Sequence, residues 1–305
     1  MKIGFIMPHL NYGVGGVRRI IEVSNHLQKF GHDVRMFTPT GNPCRWITNS
    51  IPTFKLSNLQ KHTLDVSTFT LAEQYFYAER AKATKKVFWV LAPEAMYKSP
   101  HIPIKALQKD FLFFTNSVFT RDYILKYRKD PIKYEIPIIP GGLNTEHFKY
   151  DPEIKKEYHI LYFGSKRPWK GKMFIEDALS GLKLKVLRME GSNTPQNEMY
   201  RLYNKCNMYI SACTAEGFSM PQLEAMACGC AVVTTDDGGS RDFIKHEYNA
   251  IVIQKTRDKL IAAINSILQT KELRRKIIKN GLITAAQTKF KWDNIAKQFE
   301  KVISG

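Results

Sequence analysis

Apolar residues fall into short runs separated by stretches with a helical period, and the alternation begins at once. Lys2–Pro8 is a short apolar run leading into the loop Asn11-Tyr12-Gly13-Val14-Gly15-Gly16. Ile20, Val23, Leu27 and Phe30 follow on one helix face that Gly31 closes. His32–Phe37 then reads as a second strand. Strand, glycine loop, helix and strand open a doubly wound α/β domain. Later strands are expected at Val87–Leu91, Phe111–Thr115 and Tyr134–Ile139. The pattern restarts after the polar linker from Tyr150 to Tyr158. Ile160–Phe163 forms a strand, a basic loop follows, and a helix runs from about Met173. Leu182–Leu187, Met208–Ser211 and Ala231–Thr235 are further strands. The expected fold class is therefore α/β, with two Rossmann-like doubly wound domains (1–150 and 151–288) facing across a cleft. Sheets of this kind bind ligands at the carboxyl ends of their strands. Trp292, Ile295 and Phe299 give an apolar stripe on a last helix, Lys289–Ile303.

Composition changes little in this picture. Of 305 residues, 44% are hydrophobic and 24% charged, an ordinary globular mixture. No stretch reaches the roughly 18 uncharged apolar residues of a membrane-spanning helix. The first apolar run is too short for a signal peptide, so a cytoplasmic protein is expected. Five cysteines lack redox or zinc spacing and read as buried, reduced thiols.

The net charge of +18 does change the picture, because it calls for an anionic partner. The cations are spread along the chain, with no basic groove-entering helix, so no nucleic acid is expected. Lys82-Ala83-Thr84-Lys85-Lys86 and Lys126-Tyr127-Arg128-Lys129 read as solvated helix faces. Their sharper reading is peripheral docking to anionic headgroups on the inner face of a membrane.

The densest chemistry lies between Thr214 and Gly229. This segment follows the strand Met208–Ser211, so it sits at the ligand end of its sheet. Ser219 with Gln222 forms a capping-box pattern, and Pro221 suits a first helical turn. Leu223, Met226 and Ala227 mark the buried face, and Gly229 fits a left-handed stop. The N–H groups around Phe218, Ser219 and Met220 would point out of the helix start, where the dipole favours an anion. Gly217 permits close approach of a ligand to the backbone. Glu216 stands at the mouth, and Glu224 lies about 7.5 Å along the helix from its cap. A diphosphate at the helix end would thus have one carboxylate towards each side.

Glu216-Gly217-Phe218, Pro221, Glu224-Ala225-Met226-Ala227 and Gly229 together resemble the E-x7-E signature of family-4 retaining glycosyltransferases (glycosyl transferases group 1), which have the GT-B fold. The resemblance implies that Glu224 holds the donor ribose and Glu216 lies against the transferred sugar. It also implies that the Phe218–Ser219 amides take the diphosphate. Other segments agree in order. Gly15-Gly16-Val17-Arg18-Arg19 with Gly31-His32-Asp33-Val34 is similar to the family's opening. Pro140-Gly141-Gly142-Leu143-Asn144 through Phe148 resembles its interdomain segment. Tyr162-Phe163-Gly164 through Lys170-Gly171 resembles its phosphate loop, and Phe290-Lys291-Trp292 its final helix. By the same resemblance, residues 289–305 cross back to the N-terminal domain. Phe88-Trp89-Val90-Leu91-Ala92-Pro93-Glu94 is similar to a segment of rhamnosyl-type members and offers Glu94 to orient the acceptor.

Departures from the family pattern are local. The arginine after the phosphate-loop glycine is Ser165 here, so Lys166 or Arg167 would supply a second cation beside Lys170. Gly141 and Asn144 replace an Asn and an Asp, and the region Met189–Glu198 is about one strand–helix unit short.

The glycine loop after the first strand is also compatible with a dehydrogenase, but the second strand ends Phe37-Thr38-Pro39-Thr40 without the acid that would hold a ribose. Asp236-Asp237 reads as a turn before Gly238-Gly239 and a further helix rather than a metal site. His147 and His246 read as surface or turn residues, and no metal or cofactor is expected.

The expectation is a retaining transfer from a nucleoside-diphosphate sugar to a hydroxyl of a glycan, a lipid-linked saccharide or a small molecule. Catalytic candidates are Glu216, Lys170 and Glu94. Donor-binding candidates are Gly15, Gly16, Gly164, Lys166, Arg167, Lys170, Gly217, Phe218, Ser219 and Glu224. Alternatives are a sugar-nucleotide epimerase, an inverting GT-B enzyme, or a non-catalytic sugar-nucleotide or nucleic-acid binder.

Overall fold

The computed structural model describes residues 1–11, 15–96, 99–189, 194 and 196–305. The centre of the first glycine loop and half of the 189–198 region therefore lie outside the described residues.

The chain divides into two compact units, one comprising Met1–Gly142 with Trp292–Gly305 and the other Leu143–Lys291. In the first, β1 (Lys2–Ile6), α1 (Gly15–Lys29), β2 (Asp33–Thr38), β3 (Thr53–Lys55) and β4 (Thr63–Phe69) come first. They are followed by α2 (Tyr75–Arg80), β5 (Lys82–Val90), α3 (His101–Leu107), β6 (Leu112–Thr115) and α4 (Val118–Tyr127). The strands are all parallel, in the order β3-β2-β1-β4-β5-β6. That is the doubly wound dinucleotide-binding arrangement, in which the order reverses between the first and fourth strands.

The second unit contains β7 (Tyr158–Phe163), α5 (Lys172–Leu179), β8 (Val186–Met189), α6 (Gln196–Asn204) and β9 (Cys206–Ser211). It continues with α7 (Met220–Ala227), β10 (Ala231–Thr235), β11 (Ile251–Ile253), α8 (Arg257–Gln269) and α9 (Lys271–Ala285). Its parallel sheet runs β11-β10-β9-β7-β8, so its order reverses between β7 and β9. In β10 all five residues are buried, as expected of a strand covered on both faces.

The last helix, α10 (Trp292–Ser304), packs within the first unit. Its stripe buries Trp292, Ile295, Ala296, Phe299 and Ile303. Phe299 stacks on Trp89 at 5.1 Å between centroids and also meets Phe5 and Phe114. Lys85 Nζ donates to the Ile303 carbonyl at 2.9 Å, capping the negative end of the helix.

Several expectations are corrected. Tyr134–Ile139 is not a strand. Thr115 N–H donates to the Pro137 carbonyl and Ile139 N–H to Thr115, but Pro137 has no N–H to extend the ladder. Lys82–Lys86 is not a helix face but the start of β5, paired in register with Thr63–Ser67 of β4. The strand expected at Leu182–Leu187 forms at Val186–Met189. No helix follows Gly238-Gly239, where the chain makes turns instead. The strands β3, β4 and β11 were not foreseen.

Candidate active site

Two loops meet at the reversal point of the second sheet, one after β7 and one after β9. The first runs Gly164 to Gly171 and ends in a 3-10 turn, Pro168–Lys170. Gly164 is buried and donates to the Met189 carbonyl at 2.8 Å, continuing the β7–β8 ladder. Gly171 starts α5 with φ +75, and a Cβ there would lie 2.2 Å from the Ala212 carbonyl oxygen. Only glycine meets both demands, and its place lets the two loops touch. They are tied by Thr214 N–H donating to the Trp169 carbonyl at 2.9 Å.

That contact brings Lys170 to Glu216. Lys170 Nζ donates to Glu216 Oε1 in an ion pair whose side chains are 31% and 22% exposed. Burial disfavours the charged lysine, but the Glu216 carboxylate outweighs it and holds the ammonium pKa above its ordinary value. The Cys213 thiol donates to the same oxygen at 3.4 Å. Burial first, and then Glu216, push that thiol up to about 12, so it stays protonated. Lys166 and Arg167 are exposed in the loop, and the Arg167 guanidinium lies 5.8 Å from the centre of the Trp169 ring.

Ser219, Pro221 and Gly229 frame α7 as the sequence suggests, with Gly229 at φ +69, but the capping box does not form. The Ser219 side chain makes no capping bond. Gln222 instead turns inward and donates through Nε2 to Thr234 Oγ1 at 3.0 Å and to Asp237 Oδ2 at 2.8 Å. The expected trio of outward amides is also reduced, because Met220 N–H donates to the Phe218 carbonyl at 3.1 Å. Phe218 is buried against Phe243 and Phe290, which fixes the turn into the helix.

Glu224 is only 3% exposed and accepts from the Tyr203 hydroxyl through Oε2 at 3.1 Å. Tyr203 is fully buried, and burial followed by the Glu224 charge raises its pKa well above the ordinary phenol value. Phe148, Phe163 and Tyr209 pack around the Tyr203 ring.

In the first unit, Gly15 and Gly16 open α1. Glu94 lies beyond the end of β5, is 4% exposed, and accepts from the Ala72 N–H at 3.2 Å. Reading the sequence missed Asp237, Tyr203 and Cys213. The signal for Asp237 was its place: an acid two residues past the strand Ala231–Thr235, at the carboxyl end of the sheet. Its carboxyl is buried, and desolvation, with a further push from Glu216, raises its pKa to about 6 despite bonds from Ser240 and Gln222.

Residues 172–283 match the family of glycosyl transferases group 1. An uncharacterized glycosyltransferase of Methanocaldococcus jannaschii is 34% identical over 99 residues, 32% of this chain and 25% of that protein. The lipopolysaccharide 1,2-N-acetylglucosaminetransferase of Salmonella typhimurium is 24% identical over 214 residues, 54% of this chain and 55% of that one. The matches thus span from a quarter to about half the length of these relatives. Among solved structures, the Anabaena protein HepE in complex with UDP and glucose aligns with a TM-score of 0.81 at 16% identity, covering 100% of this chain and 99% of that one. Residues 172–283 are similar to glycosyl transferases group 1, and the chain that carries them has the GT-B fold of two Rossmann-like units.

Proposed function

We propose that the protein is a retaining, metal-independent glycosyltransferase that moves a sugar from a nucleoside-diphosphate donor to an acceptor hydroxyl. The observation that carries this reading is the Lys170–Glu216 pair at the reversal point of the second sheet, next to the start of α7. Crevices at such points are where open α/β sheets bind nucleotides. In this reading the second unit takes the donor and the first takes the acceptor.

Lys170, helped by Lys166 or Arg167 and by the Gly217–Ser219 backbone, meets the diphosphate. Charge builds on that group as the glycosidic bond breaks, and donors fixed in advance stabilise it. An arriving diphosphate competes for Lys170, and Glu216 then accepts from hydroxyls of the transferred sugar. Glu224, oriented by Tyr203, accepts from the ribose. Gly164 holds the start of the phosphate loop to its strand, and Gly15 and Gly16 are further donor-binding residues of this reading. Glu94, held by the Ala72 amide, orients the acceptor hydroxyl for attack on the face the diphosphate leaves.

The UDP in the HepE complex makes uridine donors the first to test, and the Salmonella relative makes a glycan acceptor the first to try. Among the described residues no helix is long and apolar enough to cross a membrane. A lipid-linked acceptor would be met by peripheral contact, which the +18 charge favours on an anionic surface.

Thermal denaturation with a panel of nucleotide sugars, with and without EDTA, tests the reading. One nucleotide sugar and its nucleoside diphosphate should stabilise the protein, by about 2.7 kcal/mol at about 100 times Kd, and EDTA should leave this unchanged. No stabilisation by any of them would overturn the donor site, and stabilisation only with added divalent metal would overturn metal independence.

A further inference from the structure

The Asp237 carboxylate lies beside the Glu216 segment and accepts hydrogen bonds from Ser240 and Gln222. Glu216 N–H donates to the Asp237 carbonyl at 2.9 Å, and Glu216 pairs with Gly238 in a short parallel bridge. Gly239 lies against the same segment so closely that a Cβ would meet the Glu216 carbonyl oxygen at 2.4 Å. The Asp237 side chain fixes the turn carrying these contacts. Oδ1 accepts from the Ser240 N–H at 2.8 Å, and Oδ2 from Gln222 Nε2 at 2.8 Å. One carboxylate thus joins the end of β10, the turn at 238–240 and the first turns of α7 behind the Glu216 loop.

We propose that Asp237 is a positioning residue for Glu216, and that protonating its carboxylate loosens the Glu216–Gly217 segment. The inference rests on the donor-site reading above only for what Glu216 touches.

The hydrogen-bond inventory explains the loosening. An ionised carboxylate accepts only, and here it accepts from the Ser240 N–H, the Ser240 hydroxyl and Gln222 Nε2. Gln222 Nε2 donates to Thr234 Oγ1 as well, and Thr234 Oγ1 passes its own hydrogen to the Thr235 carbonyl. Gln222 Oε1 is buried with no partner, so the amide is held in this orientation by the ionised Asp237 and by Thr234. A proton on Oδ2 faces the Gln222 donor, and the contact is lost unless the amide turns its orphaned oxygen towards it.

The titratable and charged groups that face Asp237 are Glu216 in the loop, Tyr209 on β9, Cys213 beyond it, and Arg241 in the following turn. Asp236 forms an ion pair with Arg241. With the carboxyl pKa raised to about 6, the proton arrives within the range in which enzymes work. The sign for stability is opposite to that for positioning. A carboxyl with a raised folded-state pKa favours folding most when protonated, and that contribution is lost as pH rises from its unfolded value through about 6.

Hydrogen–deuterium exchange of the peptide containing Glu216, corrected for intrinsic rates, tests the proposal without any ligand. In the wild type, protection should fall on the order of fivefold, one hydrogen bond's worth, from about pH 7.5 to about pH 5, with a midpoint near 6. Asp237→Asn should show the low protection throughout, without loss of melting temperature at neutral pH. Gln222→Leu removes the contact whose loss loosens the segment, so its protection should be low at every pH; this serves if the first variant fails to fold. Flat protection in the wild type, or the wild-type pH dependence in either folded variant, would overturn the proposal. Calorimetry with UDP-glucose separates the two readings. If it binds, its affinity should drop in acid more than that of UDP, and a parallel drop would overturn the link to Glu216. Failure to bind at either pH, with the exchange behaviour intact, would count against that donor and leave the positioning role standing.

Discussion

The two units share a plan of parallel strands and crossover helices but use their buried charges differently. In the first, Arg19 is 3% exposed, stacks at 5.6 Å on Trp89 and donates to the Ile139 carbonyl. Burial lowers its pKa to about 9. Glu94 likewise accepts from a backbone amide. In the second, Lys170 meets Glu216, Tyr203 meets Glu224, and Gln222 meets Asp237, side chain to side chain. A charge bonded to backbone is part of the fold and moves only with it. A partly exposed pair of side chains such as Lys170 and Glu216 can exchange its partner for a ligand at little structural cost. In the proposed reading, the Lys170–Glu216 pair of the second unit is the one a ligand displaces.

That contrast can be broken most severely in the first unit's core. Phe299→Ala should destabilise by about 3–5 kcal/mol, as truncation of a fully buried aromatic does, with UDP affinity at the second unit unchanged where the protein is still folded. Deleting the residues after Thr288 should go further and leave the protein insoluble or unfolded, and unchanged melting of either protein would contradict the packing of α10. Lys170→Ala should act the other way, sparing stability but slowing transfer by about a hundred- to a thousandfold if it stabilises the leaving diphosphate. Wild-type turnover in that variant would remove Lys170 from the site. Smaller still, Tyr203→Phe should weaken UDP by only a few-fold, about the worth of one hydrogen bond, because Glu224 stays in place with a less fixed carboxylate. Loss of folding instead would make the tyrosine part of the core.

The alternation of elements was legible because strong local signals carried it, and the same signals placed the segment from Thr214 to Gly229 after β9. The β-branched and apolar runs at Ala231–Thr235 and Met208–Ser211 read as buried strands, and Gly31, Gly171 and Gly229 all adopt the positive φ that makes them effective punctuation. What escaped was decided by tertiary context. β4 is a central strand, yet it carries Asp65, Ser67 and Thr68, which hide its burial from a hydrophobicity reading. The lysines of β5 look like a helix surface until β4 pairs with them. Gln222 matched a capping box by spacing, but the buried Asp237 is the stronger partner. No local rule brings residue 222 to residue 237.

The central claim is that Glu216 and Glu224 serve different parts of one donor, and titration calorimetry of the two alanine variants tests it most directly. Glu224→Ala should weaken UDP and UDP-sugar alike, by about 10- to 150-fold, the loss expected for hydrogen bonds to a charged group. Glu216→Ala should bind UDP like the wild type and lose turnover with the full donor, because its contacts are made to the transferred sugar. Wild-type UDP affinity and full activity in both variants would contradict the account.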